Sequence, residues 1–267
     1  MSFFRVLLIV LFSVFTFSHG AYENTNDFIM FFSVDTLKKC SLADKGCHKD
    51  LIQSILKDIS KTGLPDLGIP PIDPIELKSI NASISNVLDI MIVEGSAKGV
   101  KNCVIESTDV NVEHLRASIQ LTCDVTLKGK YIVKSSSPII KNLLGGDIHG
   151  EGNGKVKIDK ITLNINFPFK IIKREDKYFL VSQLKNFKYT FNIHDKVAFA
   201  ADNLYLGDKE SSKEIIKLLN ENWKTIIDSF GNHFLDIAIE YVYRFLKKFF
   251  DNVATDKFLI DDISALV

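Results

Sequence analysis

The sequence predicts an elongated α+β protein in which one long C-terminal helix is laid against an antiparallel sheet. Two patterns carry that expectation. Between Leu77 and about Leu206, apolar and polar residues alternate in short runs, the period of half-buried strands. From Ser211 to about Phe250 the apolar residues recur every third or fourth position instead, the period of one helix face. Composition adds a third observation. Lys+Arg and Asp+Glu both number 33, so the chain lacks the basic footprint of a nucleic-acid-binding protein.

The chain opens with Arg5 and the apolar run Val6–Phe17, followed by the small residues Ser18 and Gly20. This pattern predicts a cleaved signal peptide over 1–20 and a mature chain, 21–267, forming one domain. No later apolar run reaches the length of a membrane span, so a secreted, extracellular product without stable membrane insertion is expected. Cys40, Cys47, Cys103 and Cys123 all fall in the mature part. An even number in an oxidising compartment predicts up to two disulfides. The tripeptide Asn81-Ala82-Ser83 is the only N-glycosylation sequon, making Asn81 an expected exposed glycan acceptor.

Leu51, Ile52, Ile55, Leu56 and Ile59 predict a first helix over 50–61, stopped by Gly63. Pro65, Pro70, Pro71 and Pro74 then enforce an extended connection, which the interspersed leucines and isoleucines should pin to the body. In the strand region a tight turn near Glu113 would place Cys103 opposite Cys123, so a disulfide there would staple two adjacent strands. No helix is expected within this region. Gly150, Gly152 and Gly154 read as a hairpin turn, not a phosphate loop, because the spacing is wrong and no helix follows. Val156 and Ile158 alternate in one phase, while Ile161, Leu163, Ile165 and Phe167 alternate in the other. That slip predicts a β-bulge at Asp159-Lys160.

The last helix should start at a capping box, Ser211-Ser212-Lys213-Glu214. Nearly forty residues at ~1.5 Å each would span roughly 60 Å, longer than any compact globule of this size. Gly231 is expected to weaken or bend it.

Short stretches now point to a family. Cys40 and Cys47 lie seven apart; Gly68-Ile69-Pro70-Pro71-Ile72-Asp73-Pro74 follows; Gly129-Lys130-Tyr131 and Leu219-Asn220-Glu221-Asn222-Trp223 come later. Together these resemble the insect juvenile-hormone-binding and takeout proteins, over essentially the whole mature chain. Cys103 and Cys123 depart from that pattern, standing where many relatives carry an apolar residue and a proline. The resemblance implies a Cys40–Cys47 disulfide and a long helix wrapped by a strongly curved antiparallel sheet, as in the tubular lipid-binding superfamily. It also implies an internal apolar tunnel for a lipophilic ligand, such as a juvenile-hormone-like terpenoid or another long-chain lipid. The family includes proteins tied to feeding, circadian output and chemosensation.

On that basis a ligand is expected between the C-terminal helix and the concave face of the sheet. Trp223, Ile227, Phe230, Phe234 and Tyr241 form one stripe of the helix. Phe167, Phe169 and Phe191 would face them from the strands, with Tyr131 and Tyr178 as polar groups. Neither a cofactor nor a metal is expected, since no histidine pair has metal spacing and no G-x-S-x-G occurs. The expected function is a monomeric, non-enzymatic carrier. The competing reading is a protein- or membrane-surface module, using Arg244, Lys247 and Lys248 among the aromatics of the tail.

Overall fold

A computed structural model describes residues 33–266. The expected leader, 1–20, and the start of the mature chain lie outside the described residues. The first helix, α1, runs Lys45–Thr62, and the Asp44 carboxylate caps it by accepting from the Cys47 amide at 2.9 Å. The proline-rich connection is pinned as expected. Leu64, Ile69 and Ile72 are buried and pack with Ile59 of α1.

Eleven strands follow: β1 Ile75–Asn81, β2 Asp89–Lys98, β3 Val104–Asn111, β4 Arg116–Ser135, β5 Ile148–Pro168, β6 Lys170–Arg174, β7 Lys177–Val181, β8 Lys188–Ile193, β9 Val197–Ala201, β10 Leu204–Leu206 and β11 Lys209–Glu210. Every named strand pair is antiparallel. The spine is the β4–β5 ladder, paired from Arg116↔Pro168 to Ser135↔Ile148. At about 3.3 Å per residue, each of these strands spans roughly 65 Å. β1 and β2 extend one side of the ladder. On the other side, β5 pairs with β9 over 154–158 and with β8 over 161–166. The change of partner falls on the expected bulge: Asp159 and Lys160 together oppose Asp124, Lys160 takes φ 52°, and its amide donates to the Asp124 carboxylate at 2.8 Å.

Four expectations need correction. A short helix, α2, Pro138–Leu144, interrupts the strand region between β4 and β5. Ser137 caps its start and Gly145, in the left-handed region, ends it. That Ser-Pro to Gly punctuation is a helix signature. The glycines 150, 152 and 154 lie within β5 and not in a turn. All three take the inward phase, and their lack of side chains serves close packing. A Cβ on Gly152 would stand 2.2 Å from the Asp202 carboxylate, and one on Gly150 2.4 Å from the Asn203 carbonyl.

The C-terminal helix is two helices, α3 Ser212–Glu221 and α4 Trp223–Asn252. Asn222 departs from helical geometry (φ −110°, ψ 19°), and its side-chain amide donates to the Leu218 carbonyl at 2.8 Å. That bond competes with the backbone ladder. α4 is therefore about 45 Å long at ~1.5 Å per residue. The first turn of α3 is not capped by Ser211; the Glu210 carboxylate accepts from the Ser212 amide at 3.1 Å instead. Gly231 does not break α4 and is buried within it.

Both disulfides form. Cys40–Cys47 ties the first turn of α1 to the residues before it, and Cys103–Cys123 bridges β4 to the residue preceding β3 across a Cα separation of 4.3 Å. At the Arg116–Pro168 end of the ladder the interior is filled by Cys40, Cys47, Phe169, Val253 and Leu259. The opposite end is hollow.

Candidate functional site

The hollow end is built from rows of inward residues set by strand register. Ile90, Val133, Gly150 and Leu204 stand side by side across β2, β4, β5 and β10. Two residues along, Ile92, Tyr131 and Gly152 form the next row. Gly95, Gly129, Gly154 and Ala201 form a third, and Ala97, Leu127, Val156 and Phe199 a fourth. The third row has almost no side chains. A Cβ on Gly129 would come within 2.3 Å of the Glu94 carbonyl, and one on Gly95 within 2.4 Å of the Lys128 carbonyl. Only glycine allows β2 and β4 to approach this closely. The Tyr131 ring lies over Gly154, with Cδ1 3.2 Å from where a Cβ would stand. The Gly129-Lys130-Tyr131 motif thus has a physical reading: one residue lets β2 come close and the other covers the bare strand beside it.

These rows form the floor of a cavity of about 250 Å³ whose exposed lining is apolar. α2 covers it with Ile140, Leu143 and Leu144, and α3 with Ile215, Ile216 and Leu219. The side chains of Lys128, Lys130 and Lys155 alternate with inward positions and project away from the lumen. Outside, Lys130 pairs with Glu94 at 2.7 Å. The Tyr131 hydroxyl is likewise engaged outside the lumen: it donates to the Asp202 carbonyl at 2.5 Å. Burial, with Asp202 and Glu210 nearby, pushes its phenol up to about 12.

Tyr131 is the one residue among those expected from the sequence that lines this cavity. Trp223, Ile227, Phe230 and Tyr241 are half-buried along α4, and Phe234 is 37% exposed. Phe167 stacks on Phe187 with ring centroids 4.9 Å apart, and Phe187 meets Tyr243 edge-on. Phe169 belongs to the filled end, where Tyr178 packs against the same cluster. Phe191 lies on Gly231 of α4, 2.9 Å from where a Cβ would be, and occupies the space between sheet and helix at that level. The residues that sequence reasoning missed are those of α2 and α3 and most of the strand floor, among them Ile90, Val133, Phe199 and Leu204. Ile215, Ile216 and Leu219 were visible as an apolar face, but nothing in their spacing separates a wall beside a void from a wall in a core. Asn81 is exposed at the end of β1.

The basic tail is largely neutralised within the molecule. Arg244 pairs with Glu240 at 2.5 Å, Lys247 pairs with Asp251, and the Lys248 ammonium donates to the Gly68 carbonyl at 2.5 Å.

A curled antiparallel sheet with an apolar-lined cavity under helices defines a protein suited to binding apolar molecules. The haemolymph juvenile hormone binding protein (JHBP) family model matches residues 23–260, and the chain belongs to that family of lipophilic-ligand-binding carriers. Its fold matches the crystal structure of Takeout 1 from Epiphyas postvittana with a TM-score of 0.72 at 25% identity, covering 84% of this chain and 100% of the other. It is also 22% identical over 203 residues to the circadian clock-controlled protein daywake of Drosophila yakuba, covering 71% of this chain and 74% of that protein.

Proposed function

We propose that this protein is an exported, monomeric carrier that holds a terpenoid of the juvenile-hormone type, or the tail of a long-chain lipid, in the cavity beneath α2 and α3. The observation that carries this reading is the apolar lining of that cavity. A dry apolar cavity attracts apolar guests. At ~0.8 kcal/mol per buried methylene, about ten methylenes supply ~8 kcal/mol, the free energy of a micromolar Kd, with no polar contact. The volume sits just below the ~300 Å³ at which typical small-molecule sites begin. A compact ligand would fill it, and a longer one would leave it past Leu219 toward Trp223, short of the level that Phe191 fills. The two disulfides and the leader-like first 20 residues support export. A role in clock-linked or feeding-linked signalling is part of the same proposal, suggested by the fly relative's name and by the family.

Delipidated protein titrated with the apolar fluorophore N-phenyl-1-naphthylamine tests the reading. Uptake at micromolar concentration is expected, with energy transfer from Trp223, the chain's single tryptophan. Ala201→Phe places a ring in the cavity and should weaken uptake at least tenfold while leaving the melting temperature near that of the wild type. Failure of the wild-type protein to take up the probe, or full uptake by Ala201→Phe, would sink the proposed site.

A further inference from the structure

The outer face of the sheet carries an apolar row that nothing in the described structure covers. Ile90 and Ile92 line the cavity, so Met91 between them points outward. Tyr131 and Val133 likewise line it, and Ile132 points outward. Met91 and Ile132 are direct cross-strand partners, 43% and 42% exposed, with Val93 at the adjacent bulge 37% exposed. Single exposed apolar residues are ordinary, whereas three adjoining ones on a sheet face form a small apolar patch that a covering group can shield. The residue opposite Met91 on its other side is Asn81. It ends β1, which pairs only with β2 among the described strands and so forms a free edge of the sheet. Such edges invite pairing with another molecule.

Asn81 has the geometry of an acceptor. Its Oδ1 accepts from the Ser83 amide at 2.9 Å, which fixes the side chain in a local turn. That bond leaves Nδ2, the atom that carries a sugar, on an exposed residue. With strands ~4.8 Å apart, Met91 lies about 5 Å and Ile132 about 10 Å from Asn81 along the sheet. The first sugar rings attached to Asn81 span that distance, and the C–H face of a pyranose is a fitting cover for a thioether and an isoleucine.

We propose that Asn81 carries an N-linked glycan whose first sugars lie over the Met91–Ile132 row and shield it, together with the β1 edge, from a second molecule. The proposal rests on the export reading. The test uses full-length protein secreted from cultured insect cells. Endoglycosidase followed by peptide mapping should find the sugar on Asn81. The rate at which dilute peroxide oxidises Met91 to the sulfoxide is then compared between the glycoform and Asn81→Asp. The aspartate keeps the oxygen that Ser83 needs and loses the sugar. Met91 should oxidise at least threefold more slowly in the glycoform. Should Asn81→Asp fail to accumulate, native enzymatic trimming of the wild-type glycan gives the same comparison. Asn81→Asp should also form larger species at tens of micromolar, and Ile132→Thr in that background should restore the monomer. Equal oxidation rates overturn the shield, and secreted protein without sugar overturns the site while leaving export intact. Protein retained in the cells overturns the export reading and this proposal together.

Discussion

The ring of Phe191 on β8 rests on Gly231 of α4, with Cζ 2.9 Å from the position a Cβ would take. A mid-helix glycine normally costs about 1 kcal/mol relative to alanine, so replacing it is a standard route to stability. Here the bare backbone is the seat of an aromatic side chain. Gly231→Ala should therefore yield none of that ~1 kcal/mol gain, because the Phe191 ring must move aside. In a Phe191→Leu background the gain should reappear. A double-mutant cycle by chemical denaturation measures the coupling, and additive effects would contradict the contact.

Tyr131→Phe separates the structural from the ligand-binding role of that residue. The hydroxyl donates to the Asp202 carbonyl and not to the lumen. Its loss should cost about 0.5–1.5 kcal/mol of stability, a typical net hydrogen bond. Uptake of an apolar probe should stay within twofold of the wild type. A tenfold change in uptake would mean that the hydroxyl turns inward to meet ligand.

His48 gives a pH dependence. Both ring nitrogens are buried without a hydrogen-bond partner among the described residues. Burial holds the imidazole below its ordinary value of 6.5, with Asp44 and Asp261 pulling the other way. The unfolded chain therefore binds the proton more readily than the folded one. Stability should be full above pH 6.5 and fall as the pH drops below it. Thermal melts at pH 7.5 and 5.5 should show a drop that His48→Leu reduces, and an unchanged slope in that variant would assign the dependence to other groups.

The Cys103–Cys123 bridge closes a loop with a sequence separation of 20. In the chain-entropy model, closure of that length contributes ~3 kcal/mol. The double substitution to alanine should lower stability by about that amount. Replacing Cys40 and Cys47, seven apart, should cost somewhat less globally. It should also free the C-terminal segment, because the Cys40 amide and carbonyl bond Phe258 and Ile260 at 2.9 and 3.1 Å. Hydrogen exchange at Leu259 and Ile260 reports that release.

The sheet was legible where side chains alternate. Ile161, Leu163 and Ile165 announce a strand, and the slip at Asp159-Lys160 announces its bulge. It was illegible where the strand lacks side chains. Gly150, Gly152 and Gly154 carry no hydrophobic signal, and glycine in clusters reads as a turn until Tyr131 and Asp202 are known to crowd against them. The helix pattern ran on through Asn222 because hydrophobic period does not register a side-chain amide competing for the Leu218 carbonyl. The position of the cavity was hidden for a further reason. An apolar face looks the same whether it meets Phe191, as α4 does at Gly231, or open space, as α3 does at Ile216.

The change of partner along β5 has a consequence for how such a molecule can diversify. β5 runs on through the sheet, but its neighbour on the side away from β4 changes from β9 over 154–158 to β8 over 161–166, the two joined through His194–Lys196. The flank is thus made of two modules on a common rail. Substitutions or short insertions near that joint would let the hollow half reshape itself for a new guest while the half around Phe169 keeps its packing.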